Sequence, residues 1–231
     1  ALDFQLEGKT ENRLNAVKHV IAEFVSGSKK SGLSGRRNDL VGLVAFGGFA
    51  DSKCPLTLDH GSLLDIVKTL QTPKLLRDRR GQPINLESYQ EENQTAVGDG
   101  LSLALDRLRS VDAKSKIAIL LSDGENNAGV VDPRDAAKIA KQFNIRVYTV
   151  GVGQNGIAPI PVEDEFGQKQ LRPVRFSIDE ALLTEIAQLS GGRYFNASNT
   201  QSLVDVYAEI DKMEKSKVEE TKFTEYTELY P

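Results

Sequence analysis

The chain has 231 residues, 39% hydrophobic and 27% charged, with 29 basic against 33 acidic side chains and a formal net charge of −4. That suits one large globular domain with a proper core. The lack of a basic stripe argues against nucleic acid as a partner, and the single Cys54 excludes an intrachain disulfide and a cysteine-rich zinc site. No run approaches the roughly 20 apolar residues of a membrane helix, and no signal peptide is present. The chain begins at Ala1 and its one methionine is Met213. A fragment or processed form is therefore expected, with any membrane or targeting segment outside it.

In chain order, residues 12–24 show helical spacing, with Leu14, Val17, Ile21 and Phe24 on one face. A Gly/Ser/basic linker follows over 27–37. Residues 40–46 form a short apolar strand ended by Gly47-Gly48, and 52–57 an edge strand, because Pro55 cannot sit in a central one. Asp59 caps a helix reaching about Leu70. Residues 72–94 form a long polar loop, of a length that is usually functional or mobile. Thr95-Ala96-Val97-Gly98-Asp99-Gly100 opens an amphipathic helix running to Arg109.

The apolar run 116–121 then ends abruptly in Ser122-Asp123-Gly124-Glu125-Asn126-Asn127. Such a run reads as a central strand buried on both faces, with Asp123 at its carboxyl end, where open α/β sheets bind ligands. Asp132-Pro133 starts a helix to about Phe143. Residues 145–152 form another buried strand, and 154–176 a hairpin-like excursion turning near Phe166-Gly167. A helix from Asp179 to Leu189 closes on Gly191-Gly192, 193–196 is a short strand, and 200–212 a last amphipathic helix. The alternation of strands and helices predicts a doubly wound α/β fold, a mostly parallel sheet flanked by helices. The domain is expected over 1–213, with a charged and aromatic tail over 214–231.

The residues offer little for catalysis. His19 and His60 both fall on helices, away from strand ends, and neither a Gly-x-Ser-x-Gly elbow, a Walker A sequence nor a strand-borne Gly-x-Gly-x-x-Gly is present. Gly98 and Gly100 suit close packing of a helix better than a phosphate cradle. Metal binding fits better. Asp123 offers a hard carboxylate oxygen, and the topology can bring the Thr95 hydroxyl to the same sheet edge, which are donors that Mg²⁺ prefers. The plainer alternative is that Thr95 caps its helix and Asp123 caps its loop.

Thr95-Ala96-Val97-Gly98-Asp99-Gly100-Leu101, followed by Ile119-Leu120-Leu121-Ser122-Asp123-Gly124-Glu125-Asn126-Asn127, resembles a von Willebrand factor type A domain. Residues 39–46, 148–153 and 190–195 match in the expected order. Residues 54–59, 126–129 and 207–211 are similar to the bacterial BatA/BatB aerotolerance-type membrane proteins. The resemblance implies a metal-ion-dependent adhesion site holding Mg²⁺, Mn²⁺ or Ca²⁺. Thr95 and Asp123 would be two arms of that site, with Gly98, Asp99, Gly124, Glu125 and Asn126 at its periphery. It further implies a non-enzymatic protein-binding role, completed by a partner's carboxylate. A MoxR-type AAA+ ATPase or other such domains are the expected partners, and the setting is a membrane-anchored, envelope-facing bacterial protein.

The family's Asp-x-Ser-x-Ser motif is absent, and the resemblance begins just after where it should stand. The first central strand is therefore expected upstream of residue 1, unless something else fills its place. Its loss would leave two open sheet edges. With two arms only, metal binding in this chain is expected to be weak or absent. The competing expectations are a metal-dependent phosphohydrolase and a structural domain with a vestigial site. The 72–94 and 154–176 segments either frame a partner surface or are tolerated insertions. The closing aromatic residues form either a membrane-proximal stalk or a packed tail helix.

Overall fold

The computed structural model describes residues 3–6, 9–153, 156–163 and 169–226, with side chains described for 12–153, 156 and 177–214. In chain order the elements are β1 (Asp3–Leu6), β2 (Lys9–Asn12), α1 (Arg13–Ser26), β3 (Val41–Phe46), β4 (Ala50–Thr57), α2 (His60–Thr69), α3 (Leu86–Glu92) and α4 (Val97–Arg109). There follow β5 (Lys116–Ser122), α5 (Pro133–Gln142), β6 (Ile145–Val152), β7 (Gly156–Glu163), β8 (Lys169–Phe176), α6 (Glu180–Ser190), β9 (Tyr194–Ala197) and α7 (Thr200–Tyr226). Helix starts follow the capping chemistry of the sequence. Asn12, Asp59, Asp132 and Asp179 each accept a backbone N–H of the first turn with their side chain.

Strands β5, β6 and β9 form a parallel sheet in that order. Side chains of β6 alternate between two cores, as a pleated strand requires. Tyr148, Val150 and Val152 join Ala16, Val20, Phe24, Leu203, Tyr207 and Ile210 of α1 and α7. Ile145 and Val147 face the other way, onto Leu101, Leu105, Ala136, Ala140, Leu183 and Ile186 of α4, α5 and α6. Helices thus cover both faces, which is the doubly wound α/β arrangement.

Strands β3 and β4 form a separate antiparallel pair, with β4 as the edge strand that Pro55 demands. Among the described residues β3 pairs only with β4, and β5 only with β6. The carboxyl end of β3 meets the start of α4, where the Ala96 N–H donates to Gly47 O at 2.7 Å. The carboxyl end of β5 meets the same point, where the Asn127 N–H donates to Thr95 O at 3.1 Å.

The burial of β5 differs from one expectation, whereas open sheet edges were themselves expected where the first central strand is absent. Strand β5 was expected to be central and buried on both faces. Among the described residues it instead heads its sheet, and Ile117, Ala118, Ile119 and Leu121 are only half-buried while Leu120 and Ser122 are buried. A strand without a neighbour on one side cannot exclude water along that side.

A second correction concerns α1. Its buried stripe is Arg13, Ala16, Val20, Phe24 and Val25, while Leu14, Val17 and Ile21 are half-buried. The small Ala16 lets the helix approach the sheet closely, and Val17 and Ile21 flank that contact.

The 72–94 stretch is more ordered than a loop. It carries α3 and a bridge between Arg77 and Pro83, and Asn85 Oδ1 accepts from the Leu76 N–H at 2.7 Å. The expected hairpin exists as β7 and β8, though its turn at Phe166-Gly167 lies outside the described residues. The β1–β2 hairpin has no counterpart in the sequence reading. Helix α7 continues past residue 213, and Glu214 is buried on it.

Candidate functional site

The loop after β5 and the start of α4 are stitched together by side chains acting on backbone. Asn126 Oδ1 accepts the Val97 N–H at 2.9 Å, and Asn127 Oδ1 accepts the Thr95 N–H at 2.8 Å. Thr95 O in return accepts the N–H groups of Asn127 and Ala128 at 3.1 and 3.2 Å. Asp99 projects from the first turn of α4 and accepts the N–H groups of Val130 and Val131, at 3.0 and 2.8 Å to Oδ1. Each bond satisfies a backbone donor that the irregular loop cannot pair internally.

Glycines permit the closeness. A Cβ on Gly98 would lie 1.9 Å from Val131 O, so only glycine lets α4 pack against the loop there. A Cβ on Gly129, whose φ is +95°, would lie 3.1 Å from the Asp99 carboxyl carbon.

This stitching brings the two chief sequence candidates to one edge. A Cβ placed on Gly124, the residue after Asp123, would lie 3.4 Å from Thr95 Oγ1. Thr95 does not cap α4, since the N-cap is Ala96 and makes no side-chain cap bond. Asp123 is 63% exposed, and its Oδ2 accepts from Arg13 Nη1 at 3.2 Å. Of the peripheral residues, Gly98, Asp99 and Asn126 build the loop, Gly124 sits against Thr95, and Glu125 is exposed.

Sequence reasoning missed Arg13 and Asn127. Arg13 is only 7% exposed, and a Cβ on Gly153, whose φ is +127°, would lie 2.8 Å from its guanidinium carbon. The signal for it was an arginine in step with Ala16 and Val20 on a helix stripe. Asn127 stands in the Asn126-Asn127 pair, yet nothing local shows that it faces Thr95.

The donors suit a hard divalent cation in kind, a hydroxyl and a carboxylate at one exposed edge, but fall short of the six oxygens such an ion takes. One Asp123 oxygen is also engaged by Arg13. Among the described residues no group of three or more His, Cys, Asp and Glu side chains could hold a metal.

A parallel sheet between two helical layers, with its loops gathered at the strands' carboxyl ends, defines a doubly wound α/β domain. The von Willebrand factor type A domain model matches residues 7–209, and the chain belongs to that family.

BatB from Bacteroides thetaiotaomicron superposes with a TM-score of 0.66 at 27% identity, covering 92% of this chain and 91% of that one. An aerotolerance-related membrane protein from Bacteroides fragilis does so with a TM-score of 0.60 at 26% identity, covering 85% and 87%. An uncharacterized protein from Borreliella burgdorferi is 24% identical over 212 residues, which are 90% of this chain and 54% of that protein. The chain thus spans about half the length of that curated relative. The likeness to aerotolerance-related membrane proteins expected from the sequence is therefore found. No helix among the described residues is long and apolar enough to cross a membrane.

Proposed function

We propose that this domain is a protein-binding module of a bacterial envelope protein, assisted by a divalent cation held at the edge shared by Thr95 and Asp123. The observation that carries the reading is the convergence of the Thr95 loop and the exposed Asp123 carboxylate. Asn126, Asn127 and Asp99 tie the segment carrying Thr95, at the start of α4, to the loop that follows Asp123 at the carboxyl end of a parallel sheet. When bound, such a cation supplies an open coordination position for a partner's carboxylate. The residues themselves hold the oxygens in place: Asn127 fixes the Thr95 backbone, and Gly124 leaves room beside the Thr95 hydroxyl. No side chain here is asked to act as nucleophile or general base.

A MoxR-type AAA+ ATPase or another domain of this family is the partner class we propose.

Mn²⁺ binding followed by water-proton relaxation tests the metal reading. The expected outcome is weak binding, with a Kd on the order of millimolar, that Thr95→Ala and Asp123→Ala each weaken at least about tenfold. Equal affinity in both variants would leave a structural domain with a vestigial site.

A further inference from the structure

We propose that residues 74–86 form a preformed docking finger for an acidic protein segment whose carboxylates are interleaved with aliphatic side chains. The inference goes beyond the reading above: it names a second contact surface, and no cation takes part in it.

The finger is built by its own polar groups. The Ile84 N–H donates to Leu76 O at 2.9 Å, and Arg77 bridges Pro83 one step nearer the tip. Asp78 closes the turn, its Oδ1 accepting the N–H groups of Arg80 and Gln82 at 2.7 and 2.9 Å. Asn85 braces the base, accepting the Leu76 N–H at 2.7 Å and donating to Lys74 O at 3.0 Å. The finger then runs into α3, whose last carbonyls press on the turn between β3 and β4. A Cβ on Gly47 would lie 2.4 Å from Glu92 O, and one on Gly48 2.0 Å from Glu91 O. A surface held this firmly has little conformational freedom left to lose on binding.

What the scaffold displays faces water. Leu76 and Ile84 stand opposite each other in an antiparallel register and so share a face. They are 52% and 64% exposed, Leu86 is 46% exposed, and no residue of α3 is buried. Lys74, Arg77, Arg79 and Arg80 are exposed, and among the described residues none of them is ion-paired. The one acid between them, Asp78, is engaged in closing the turn. Four cations beside three water-facing aliphatics, on a chain of net charge −4, are complementary to a partner that carries carboxylates and apolar side chains together. The planar fork of arginine suits carboxylates in particular.

The arrangement fits a protein better than a lipid surface. Arg79 and Arg80 occupy the tip, and Leu76 stands three residues behind Arg79, roughly 10 Å at the rise of an extended chain. A bilayer would meet the charged tip and leave the aliphatics short of its hydrocarbon. A groove on a partner can reach both. Glu87 and Glu91 of α3 repel the same carboxylates, which confines the contact to the finger.

The test titrates the isotope-labelled full chain, with a chelator in the buffer, against three probes. These are a synthetic Glu-Glu-Leu repeat peptide, its Gln-Gln-Leu counterpart, and phosphatidylglycerol vesicles. The acidic peptide is expected to bind with a Kd below about 1 mM and to move the backbone amides of residues 76–86. Arg79→Ser/Arg80→Ser and Leu76→Ser/Ile84→Ser should each weaken it about tenfold, and the glutamine peptide should bind at least as poorly. All four side chains are exposed and make none of the bonds that build the turn, so the finger keeps its shape in both variants. No binding of the acidic peptide, shifts outside the finger, or an affinity indifferent to either double variant would overturn the proposal. Vesicle binding that needs Arg79 and Arg80, without peptide binding, would assign the finger to a membrane surface instead. The chelator keeps the cation reading out of every arm, so the proposal can fail while that reading stands.

Discussion

Glu214→Ala destabilises the domain by about 3 kcal/mol, the low end of the cost of breaking a buried ion pair. The carboxylate is 6% exposed and serves three donors. The Tyr148 hydroxyl donates to Oε1 at 2.5 Å, Ser115 Oγ donates to Oε2 at 2.8 Å, and Arg146 Nη2 donates to Oε2 as well. Together they clamp α7 to β6 and to the entry of β5. Alanine leaves the buried Tyr148 hydroxyl and the Arg146 charge without their acceptor. Arg146 is itself 26% exposed, so water recovers part of that loss.

The same clamp predicts acid sensitivity. Burial pushes the Glu214 carboxyl up. The hydrogen bonds from Tyr148, Arg146 and Ser115, with the Arg146 charge, outweigh that and hold it below its ordinary value of 4.5. A carboxyl whose folded value is depressed contributes stability above its ordinary value, and loses it as pH falls through the lower folded value. Urea denaturation should therefore show the parent chain losing an increment below pH 4.5 that Glu214→Gln lacks. Parallel pH profiles for the two proteins would show that Glu214 is not clamped.

Asp99→Ala is expected to have the next largest effect, about 2 kcal/mol, because it removes a charged acceptor from two backbone donors. The Val130 and Val131 amides lose their acceptor, and the loop running back to Asp123 loses its hold on α4. Asp99→Asn keeps an acceptor without the charge and should cost less. Hydrogen exchange at the Val130 and Val131 amides reads the change directly, rising in Asp99→Ala while amides of β6 stay protected. Unchanged exchange at both would show that the loop is held by other means.

Local chemistry explains what was legible in the sequence. The caps at Asp59, Asp132 and Asp179, the αL glycine at Gly191 and the buried strand β6 all depend on neighbours within a few residues, so their patterns are complete on the page. The pairing partners of β5 do not. A run such as Ile117 to Leu121 reads identically whether one edge or two are covered, so an open side was expected from the absent Asp-x-Ser-x-Ser motif and not from the run itself.

The site divides the same way. Asp123 was legible because an apolar strand stops at it, and Thr95 because it precedes a helix. The Arg13 contact with Asp123 and the Asn127 contact with Thr95 span 110 and 32 positions, so nothing local encodes them. Asp99 was placed at the periphery, whereas its carboxylate proves to anchor the loop.

The claim that Thr95 and Asp123 form one cation-binding edge is tested most directly by mapping Mg²⁺ onto the backbone amides by nuclear magnetic resonance. The account predicts shifts concentrated at residues 95–97 and 123–127, following one binding curve and abolished by Asp123→Ala. Shifts scattered over the acidic surface, or a response at that edge that survives Asp123→Ala, would contradict it.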